Sequence, residues 1–267
     1  MNKLSFYLSL VKFSLFHPKS GLEIINEANH VHNDEKQEIK EFEFEPVEFS
    51  RAFNLISGEE KEIKDSLSKT EELEKHLKDF FENLSGEYPS HEKPYPIDYS
   101  IMGESGTFLY ELCKFVKPEV IVETGVAYGV SSAYILKALD ENNKGKLISI
   151  DSVFRPWQSE EMIGAAIPEN LRQRWELKIG TSEKILKTIF TDLKTIDIFL
   201  HDSLHTYKNM YYEFETSWSF LRKGGFLISD DIVRNNAFGD FYRTVKKDPI
   251  IMLQNRNSNS YLGIIKK

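Results

Sequence analysis

Short apolar runs alternate with stretches of helical periodicity from Thr107 to the end of the chain. The runs predicted to be strands cover residues 120–122, 146–150, 172–179, 196–200 and 225–229, with two more inside 250–265. The helical stretches between them cover residues 131–139, 182–190 and 207–221. This order predicts a doubly wound, Rossmann-like α/β fold, in which helices cover both faces of a mostly parallel sheet.

The pattern upstream of Thr107 is different and predicts a helical N-terminal cap. Residues 1–16 crowd leucines and phenylalanines together and predict an amphipathic helix that packs on the body or on a neighbouring subunit. The segment is too short to span a bilayer, and a membrane-surface anchor is the alternative. Residues 17–58 have mixed charges and weak periodicity, so little burial is expected there, and its scattered histidines are expected to be solvated. Residues 58–84 predict a charged amphipathic helix.

A loop rich in proline, glycine and tyrosine, residues 86–106, separates the cap from the main domain. Prolines and glycines exclude a long helix, so an ordered loop is predicted, either a lid over a site or a plain connector. Tyr88, Tyr95, Tyr99 and, further on, Trp157 are candidates for stacking on an acceptor. The predicted division is a cap and lid at 1–106 and a main domain at 107–267.

Composition narrows the class of partner. A net charge of −8 leaves no basic footprint for gripping a phosphate backbone, so nucleic acid is a poor candidate. The single cysteine, Cys113, excludes an intramolecular disulfide and a cysteine-clustered zinc site, and it is expected to be a small core residue in a reducing cytoplasm. The chain is therefore expected to be a cytoplasmic protein with a small-molecule partner and no stable insertion into a membrane.

The segment after the first predicted strand contains an acidic residue and two glycines before a helix. Glu123 precedes Gly125, and Gly129 comes just before Ser131, where the helix opens. Glycines let the backbone turn sharply, and a helix N-terminus offers free amides to a carboxylate. The third glycine of a dinucleotide-binding loop is absent, and Glu123 suits an ammonium better than a pyrophosphate.

Polar residues also follow the later strands, at the edge where parallel sheets bind ligands. Asp151 ends the second strand and can accept hydrogen bonds from both hydroxyls of a ribose. Thr181 and Ser182 follow the third strand and can place a hydroxyl beside an adenine. Residues 201–207 follow the fourth strand, with Asp202 and His205 among them, and the pair 230–231 follows the fifth.

These motifs resemble class I S-adenosylmethionine-dependent methyltransferases of the "methyltransferase domain 24" type. The similarity lies in the runs 122–136, 197–207, 221–225 and 229–231, and it extends over roughly 108–241. The resemblance implies that Glu123 holds the methionine ammonium, Gly125 and Gly129 shape the loop, and Ser131 meets the methionine carboxylate. It also implies that Asp151 binds the ribose and that Thr181 and Ser182 lie by the adenine, with Asp202 bordering the same cofactor.

Related metal-dependent O-methyltransferases that act on catechols and sugars imply a metal site at Asp202, Asp230 and Asp231. The chemistry of the residues agrees, because three converging carboxylates repel one another unless a cation lies among them, and oxygen ligands suit magnesium. His205 is a candidate base for the acceptor hydroxyl. Two alternatives stay open: an aspartate of the pair 230–231 caps a loop, and His205 anchors the turn between strand and helix.

The sequence thus predicts an O-methyltransferase acting on a hydroxyl of a small molecule or sugar, with magnesium assistance as a further hypothesis. A nucleotide-binding oxidoreductase is disfavoured by the missing glycine. A catalytically silent protein that binds S-adenosylmethionine or a nucleotide is the other alternative, but the strand-end carboxylates that it would be expected to lose are all present.

Overall fold

The computed structural model describes residues 3–87, 103–153, 159–254 and 260–267. Its helices are α1 (Lys3–Phe16), α2 (Pro18–Asp34), α3 (Phe49–Ser57), α4 (Ile63–Glu87), α5 (Glu104–Val116), α6 (Val130–Glu141), α7 (Ser182–Leu193), α8 (Tyr207–Phe220) and α9 (Ala237–Val245). Its strands are β1 (Val120–Thr124), β2 (Lys146–Asp151), β3 (Trp175–Ile179), β4 (Ile196–His201), β5 (Leu221–Ser229), β6 (Ile250–Leu253) and β7 (Tyr261–Lys266). Two short 3₁₀ helices, Glu160–Met162 and Glu169–Arg174, lie between β2 and β3.

The seven strands form one sheet in the order β3-β2-β1-β4-β5-β7-β6. The pairs from β3 to β5 are parallel, whereas β7 runs antiparallel to both of its neighbours. The direction of the chain across the sheet reverses at β1, whose neighbours are β2 and β4. Ligands of such sheets bind at this switch point, outside the carboxyl ends of the strands.

Successive residues of each central strand enter two different cores, as the period of two in a strand requires. In β1, Ile121 packs with α3 to α6 on one face, and Val122 packs with α7 to α9 on the other. The same alternation separates Leu147 from Ile148 in β2. Burial on both faces explains why successive positions of these strands are mostly apolar.

The predicted fold is confirmed: a mostly parallel sheet has helices on both faces and additional helices at the N-terminus. The predicted strands and helices of the main domain all occur, with ends that shift by a few residues. Cys113 is buried, as predicted. The boundary between a cap at 1–106 and a domain at 107–267 stays a prediction, although α5 already begins at Glu104.

The prediction that residues 17–58 bury little is wrong. This segment forms α2 and α3, and α3 places Phe49, Ala52 and Phe53 in the core at 1% exposure or less. Val47 exchanges backbone hydrogen bonds with β6, donating to Ile251 (2.8 Å) and accepting from Leu253 (2.9 Å). The apolar residues in this segment are few, but their spacing gives α3 one fully apolar face, which local charge density concealed.

Two predictions concern residues outside the described part of the chain. The candidate acceptor contacts Tyr88, Tyr95, Tyr99 and Trp157 fall at positions 88–102 and 154–158, which the structure does not describe. In the described residues, no helix combines the length and apolarity needed to cross a bilayer.

Candidate active site

The loops that follow β1 and β4 touch at the carboxyl edge of the sheet. Gly125 has φ +82°, and a Cβ placed there would lie 1.9 Å from the carbonyl oxygen of Asp202. Gly129 has φ +88°, and its Cβ would lie 2.8 Å from the Cα of Gly164. Both glycines are therefore required by space as well as by conformation, and the predicted loop-shaping role fits this geometry.

Glu123, near the end of β1, is fully buried beneath the N-terminus of α6. Its carboxylate accepts hydrogen bonds from the hydroxyls of Ser131 (2.5 Å), Ser132 (2.5 Å) and Ser149 (2.8 Å). Burial raises the pKa of Glu123, and the three serine hydrogen bonds oppose that shift. Ser131, predicted to meet the methionine carboxylate, is directed at Glu123 here, so both assigned roles stay predictions.

Asp151 joins the end of β2 to the glycine-containing loop. Its Oδ2 accepts hydrogen bonds from the backbone amides of Val126 and Ala127, both at 2.9 Å, and its Oδ1 accepts one from the amide of Ser152 at 2.6 Å. The geometry thus ties the loop to the residue predicted to hold the ribose.

Thr181 and Ser182 lie at the start of α7, directly after β3. The carbonyl of Asp151 accepts a hydrogen bond from the amide of Gly180 at 2.8 Å, which places this turn next to the end of β2. The hydroxyl of Ser182 donates to the side-chain oxygen of Asn209 on α8 at 3.1 Å. The predicted adenine contacts therefore share one edge with Asp151.

An acidic cluster lies beyond β4 and β5. One ligand atom each from Asp202, His205 and Asp230 lies within 4.8 Å of the other two, a spacing that fits a single metal ion. The backbone supports this arrangement, because the amide of Asp202 donates to the carbonyl of Thr124 (2.8 Å) and that of Asp230 donates to the carbonyl of His201 (2.9 Å).

Asp231, the third predicted metal ligand, is placed differently from the other two aspartates. It has φ +49°, its Oδ2 lies 3.0 Å from Nε of Arg234, and it is not in the group of three. The same oxygen is 3.6 Å from Nδ1 of His205. Of the described residues, the structure therefore brings His205 together with Asp202 and Asp230, and Asp231 borders them.

The cluster holds more negative charge than its surroundings neutralise. Burial raises the pKa of Asp202 well above its usual value, and Asp230 and Glu123 raise it further. Burial and then Asp231 raise the pKa of Asp230, which the amide of Gln254 partly offsets through a hydrogen bond. No lysine or arginine of the described residues forms an ion pair with Asp202 or Asp230. Such a site favours a cation.

His205 is held in its neutral form. Burial, with the neighbouring His201, lowers the pKa of His205 to about 3. Its Nε2 is buried, has no hydrogen-bond partner among the described residues, and lies 3.8 Å from Oδ1 of Asp202. A neutral imidazole with a free nitrogen can act as a metal ligand or accept a proton.

Glu213, on α8, is a buried carboxylate that sequence reasoning missed. Its Oε2 accepts hydrogen bonds from the hydroxyl of Thr124 (2.5 Å) and pairs with Nδ1 of His201 (2.6 Å). Its Oε1 accepts from Ser203 (2.9 Å) and from the amide of Asn209 (3.1 Å). Glu213 thus connects the ends of β1 and β4 to α8, through His201 and Ser203 on either side of Asp202.

The electrostatics of Glu213 differ from those of the acidic cluster. Burial acts to raise its pKa, but His201 and then the hydrogen bonds of Ser182 and Thr124 outweigh burial, so the pKa of Glu213 is lowered. The sequence did contain a signal for this residue. Glu213 lies on the buried face of α8 that carries Met210, Phe214 and Ser217, so it is a charged residue in an otherwise uncharged stripe.

The sheet order, the loop that follows β1 and the polar residues at four strand ends are the features that the resemblance to class I methyltransferases predicts. In agreement, residues 122–232 match a family described as a methyltransferase domain. The match covers less than half of the chain but contains every predicted site residue, from Glu123 to Asp231. The resemblance found in the sequence is confirmed.

Solved structures support the fold. An O-methyltransferase from Bacillus cereus in complex with S-adenosylhomocysteine aligns with a TM-score of 0.55 and 18% identity, over 72% of this chain and 91% of that one. An O-methyltransferase of tomaymycin synthesis from Streptomyces achromogenes, in complex with S-adenosylmethionine, aligns with a TM-score of 0.51 and 16% identity, over 82% and 95%. A Podospora anserina methyltransferase bound to S-adenosylhomocysteine aligns with a TM-score of 0.51 and 16% identity, over 72% of this chain and 88% of that one. The search of curated protein sequences gave no significant match.

Proposed function

We propose that the chain is an S-adenosylmethionine-dependent methyltransferase that methylates a hydroxyl group of a small molecule. The observation that carries this proposal is that the segment matching the methyltransferase family, residues 122–232, contains all of the polar strand ends that meet at one edge of the sheet. Similar folds occur in proteins described as O-methyltransferases, which supports oxygen as the acceptor atom. A sugar hydroxyl and a cytoplasmic location are the finer predictions from the sequence.

The chain's own residues would bind the cofactor along this edge. Asp151 would accept the ribose hydroxyls, and the turn at Thr181 and Ser182 would border the adenine. The amides at the N-terminus of α6 would face the methionine carboxylate, as helix N-termini bind anions. Glu123, whose oxygens are both bound by serines, would act on the ammonium mainly through its negative charge. Bound S-adenosylmethionine supplies a methyl group on a positively charged sulfur.

In this proposal the acidic cluster would border the place where the acceptor meets the methyl group. Asp202, Asp230 and His205 fit a divalent cation, because their ligand atoms converge within 4.8 Å and burial with mutual repulsion raises the pKa of both carboxyls. Magnesium is the metal that the sequence predicts, and the two carboxylates suit magnesium or manganese, whereas an imidazole ligand is typical of transition metals. A bound cation would lower the pKa of an acceptor hydroxyl. His205 would hold the orientation of that hydroxyl, and Asp202 would border the reacting oxygen.

Calorimetry of the purified chain with S-adenosylhomocysteine tests the central claim. We expect a dissociation constant in the micromolar range, equivalent to about 7–9 kcal/mol. Asp151→Ala should weaken it about 10- to 150-fold, since hydrogen bonds to a charged group contribute about 1.5–3 kcal/mol. Asp197→Asn, at the opposite edge of the sheet, is the matched control. Absence of binding to folded protein at millimolar ligand, or binding of NAD instead, would show that the proposal is wrong.

A second measurement separates catalysis from silent binding. Release of S-adenosylhomocysteine should be followed with a panel of catechols and free or nucleotide-linked sugars. Mn²⁺ titration monitored by electron paramagnetic resonance then tests the metal site without any acceptor. We expect Asp230→Asn to reduce Mn²⁺ affinity and Asp197→Asn to leave it unchanged. Two results together would exclude a catalytic metal and favour His205 as the base. They are full turnover in excess chelator and loss of turnover in His205→Ala.

A further inference from the structure

The N-terminal helices α1 and α2 form a hairpin that turns at His17. The two helices approach closely where Gly21 meets Ser14, since a Cβ on Gly21 would lie 2.6 Å from that of Ser14. Two contacts of the described residues attach the hairpin to the main domain. Asp34 accepts a hydrogen bond from the amide of Tyr207 at the start of α8 (2.7 Å), and Glu23 pairs with Lys184 on α7 (2.5 Å).

A different face of the hairpin is apolar and exposed. On α1, Leu8, Val11 and Leu15 follow helical spacing and are 61%, 59% and 76% exposed. On α2, Leu22 and Ile25 are 61% and 55% exposed. We call these five residues, together with Phe16, which is 73% exposed, the hairpin face. Seven of the eleven large hydrophobic residues found exposed in the described chain lie in this hairpin, so the patch is concentrated there.

The chemistry of the hairpin favours a protein partner over a lipid surface. Helices that lie on membranes combine one apolar face with a polar face rich in lysine and arginine. The sequence of α1 does not divide into one apolar and one polar face, a pattern typical of a helix buried by other helices. The described hairpin carries Lys3, Lys12 and Lys19 against Glu23, Glu27 and Asp34, so it offers no excess of positive charge. The whole chain, at −8, would be repelled by anionic lipid.

The size of the hairpin face suits a dimer. A large aliphatic side chain contributes about 60–120 Å² of apolar area, the area that corresponds to about 1.5–3 kcal/mol at about 25 cal/mol per Å². Six such residues, exposed by about two thirds, would remove roughly 500–1,000 Å² from water when two copies meet. The upper part of that range overlaps the non-polar part, about 57%, of a standard interface of about 1,200–2,000 Å².

We infer that the hairpin face binds the same face of a second copy of this chain, so that two helical hairpins pack as a symmetric four-helix bundle. A two-fold arrangement needs only one self-complementary patch, which is what the hairpin presents. Because Asp34 caps the start of α8, two residues after His205, the dimer would also fix the hairpin next to the acidic cluster. The inference does not rest on the proposed function.

Sedimentation equilibrium of the full chain tests the inference. We expect a dimer at micromolar concentration, and the double variant Leu8→Glu/Leu15→Glu should raise the dimer dissociation constant at least about 100-fold because charges would be buried at the interface centre. Leu55→Glu, at a side chain that is 50% exposed on α3, is the matched control and should stay dimeric. A wild type that is monomeric at 100-fold higher concentration, about 100 µM, would overturn the inference. So would a folded double variant that remains dimeric.

Hydrogen exchange of the wild-type chain makes the test independent of variant folding. Amides of residues 8–25 should gain protection as protein concentration rises from nanomolar to micromolar, and those of residues 49–57 should not. Equal exchange at all concentrations would contradict the inference. Co-sedimentation of a monomeric wild type with phosphatidylcholine/phosphatidylglycerol vesicles would also overturn it, by showing that lipid covers the face.

Discussion

The two edges of the sheet differ in how far they compensate the charge of partly buried acidic groups. At the amino edge, Asp197 of β4 accepts hydrogen bonds from the amides of Glu119 and Val120, both at 2.8 Å, and pairs with Arg222 at 2.5 Å. At the carboxyl edge, Asp202 and Asp230 face each other and form no ion pair with a lysine or arginine of the described residues. The amino edge is electrostatically complete, whereas the carboxyl edge is not.

This difference separates a structural acid from the two acids that we propose to be functional. Asp197 ties strand ends together, and its charge is matched by donors within the fold. Asp202 and Asp230 keep raised pKa values because burial and mutual repulsion are not compensated. Perturbed groups that cluster in one place are typical of active sites, where ligand or metal completes the charge balance. Glu213 lies between these extremes, since it is buried next to the cluster yet satisfied by four donors.

The largest effect is expected from matched substitutions at the two edges. Asp202→Asn should lower turnover by about 10³-fold or more, because it removes a ligand or charge beside the reacting oxygen. Asp197→Asn should leave turnover within about threefold. Release of S-adenosylhomocysteine with the best acceptor of the panel measures both. Comparable losses in the two variants would mean that the carboxyl edge has no special role.

Next in size is the effect of removing the charge of Glu213. Glu213→Gln should reduce kcat about 10- to 100-fold, the range typical of residues that orient a site from behind. The affinity for S-adenosylhomocysteine should change little, and amides of residues 201–206 should exchange faster. Glu111→Gln is the control, because Glu111 is also buried, pairs with Lys61 and Lys69, and lies on α5. A loss of kcat in Glu111→Gln as large as in Glu213→Gln would reduce the role of Glu213 to general stability.

A smaller effect concerns stability and its dependence on pH. An acid whose pKa is raised in the folded state binds its proton more tightly there than in the unfolded state. Folding stability therefore falls as pH rises from the unfolded pKa to the folded pKa. In chelator, Asp202→Asn should therefore raise the free energy of unfolding by about 1–3 kcal/mol at pH 8. The gain should disappear near pH 4, the unperturbed value for an aspartate. Denaturant titrations at both pH values measure it, and destabilisation by Asp202→Asn at pH 8 would contradict the electrostatic description.

The smallest effect is expected for Arg222→Ala at the amino edge. The Arg222 side chain is 41% exposed, so its pair with Asp197 should contribute only about 0.2–1 kcal/mol. Asp197 would keep its two backbone donors. Thermal unfolding should shift by a few degrees at most, and turnover should not change. A large loss of thermal stability or of turnover in Arg222→Ala would show that the amino edge depends on the charge of Arg222.

Local sequence patterns predicted most of the main domain correctly. The period of two in the strands and the helical spacing between them predicted the alternating fold, and Gly125 and Gly129 marked the loop after β1. The N-terminal region was harder, because α3 has only a few apolar residues among charges. Its burial depends on Phe49 and Phe53 meeting Phe108 and Phe115 on α5, more than fifty residues away.

The sequence by itself determined which strand ends carry polar groups, since the residue that follows a strand is a local property. Only the tertiary structure decided which of these groups meet. His205 joins Asp202 and Asp230, whereas Asp231 adopts a left-handed backbone conformation and pairs with Arg234. Glu213 reaches Thr124 across 89 positions because β1 and β4 are adjacent in the sheet. Such contacts depend on strand order and turn geometry, which hydrophobic periodicity does not encode.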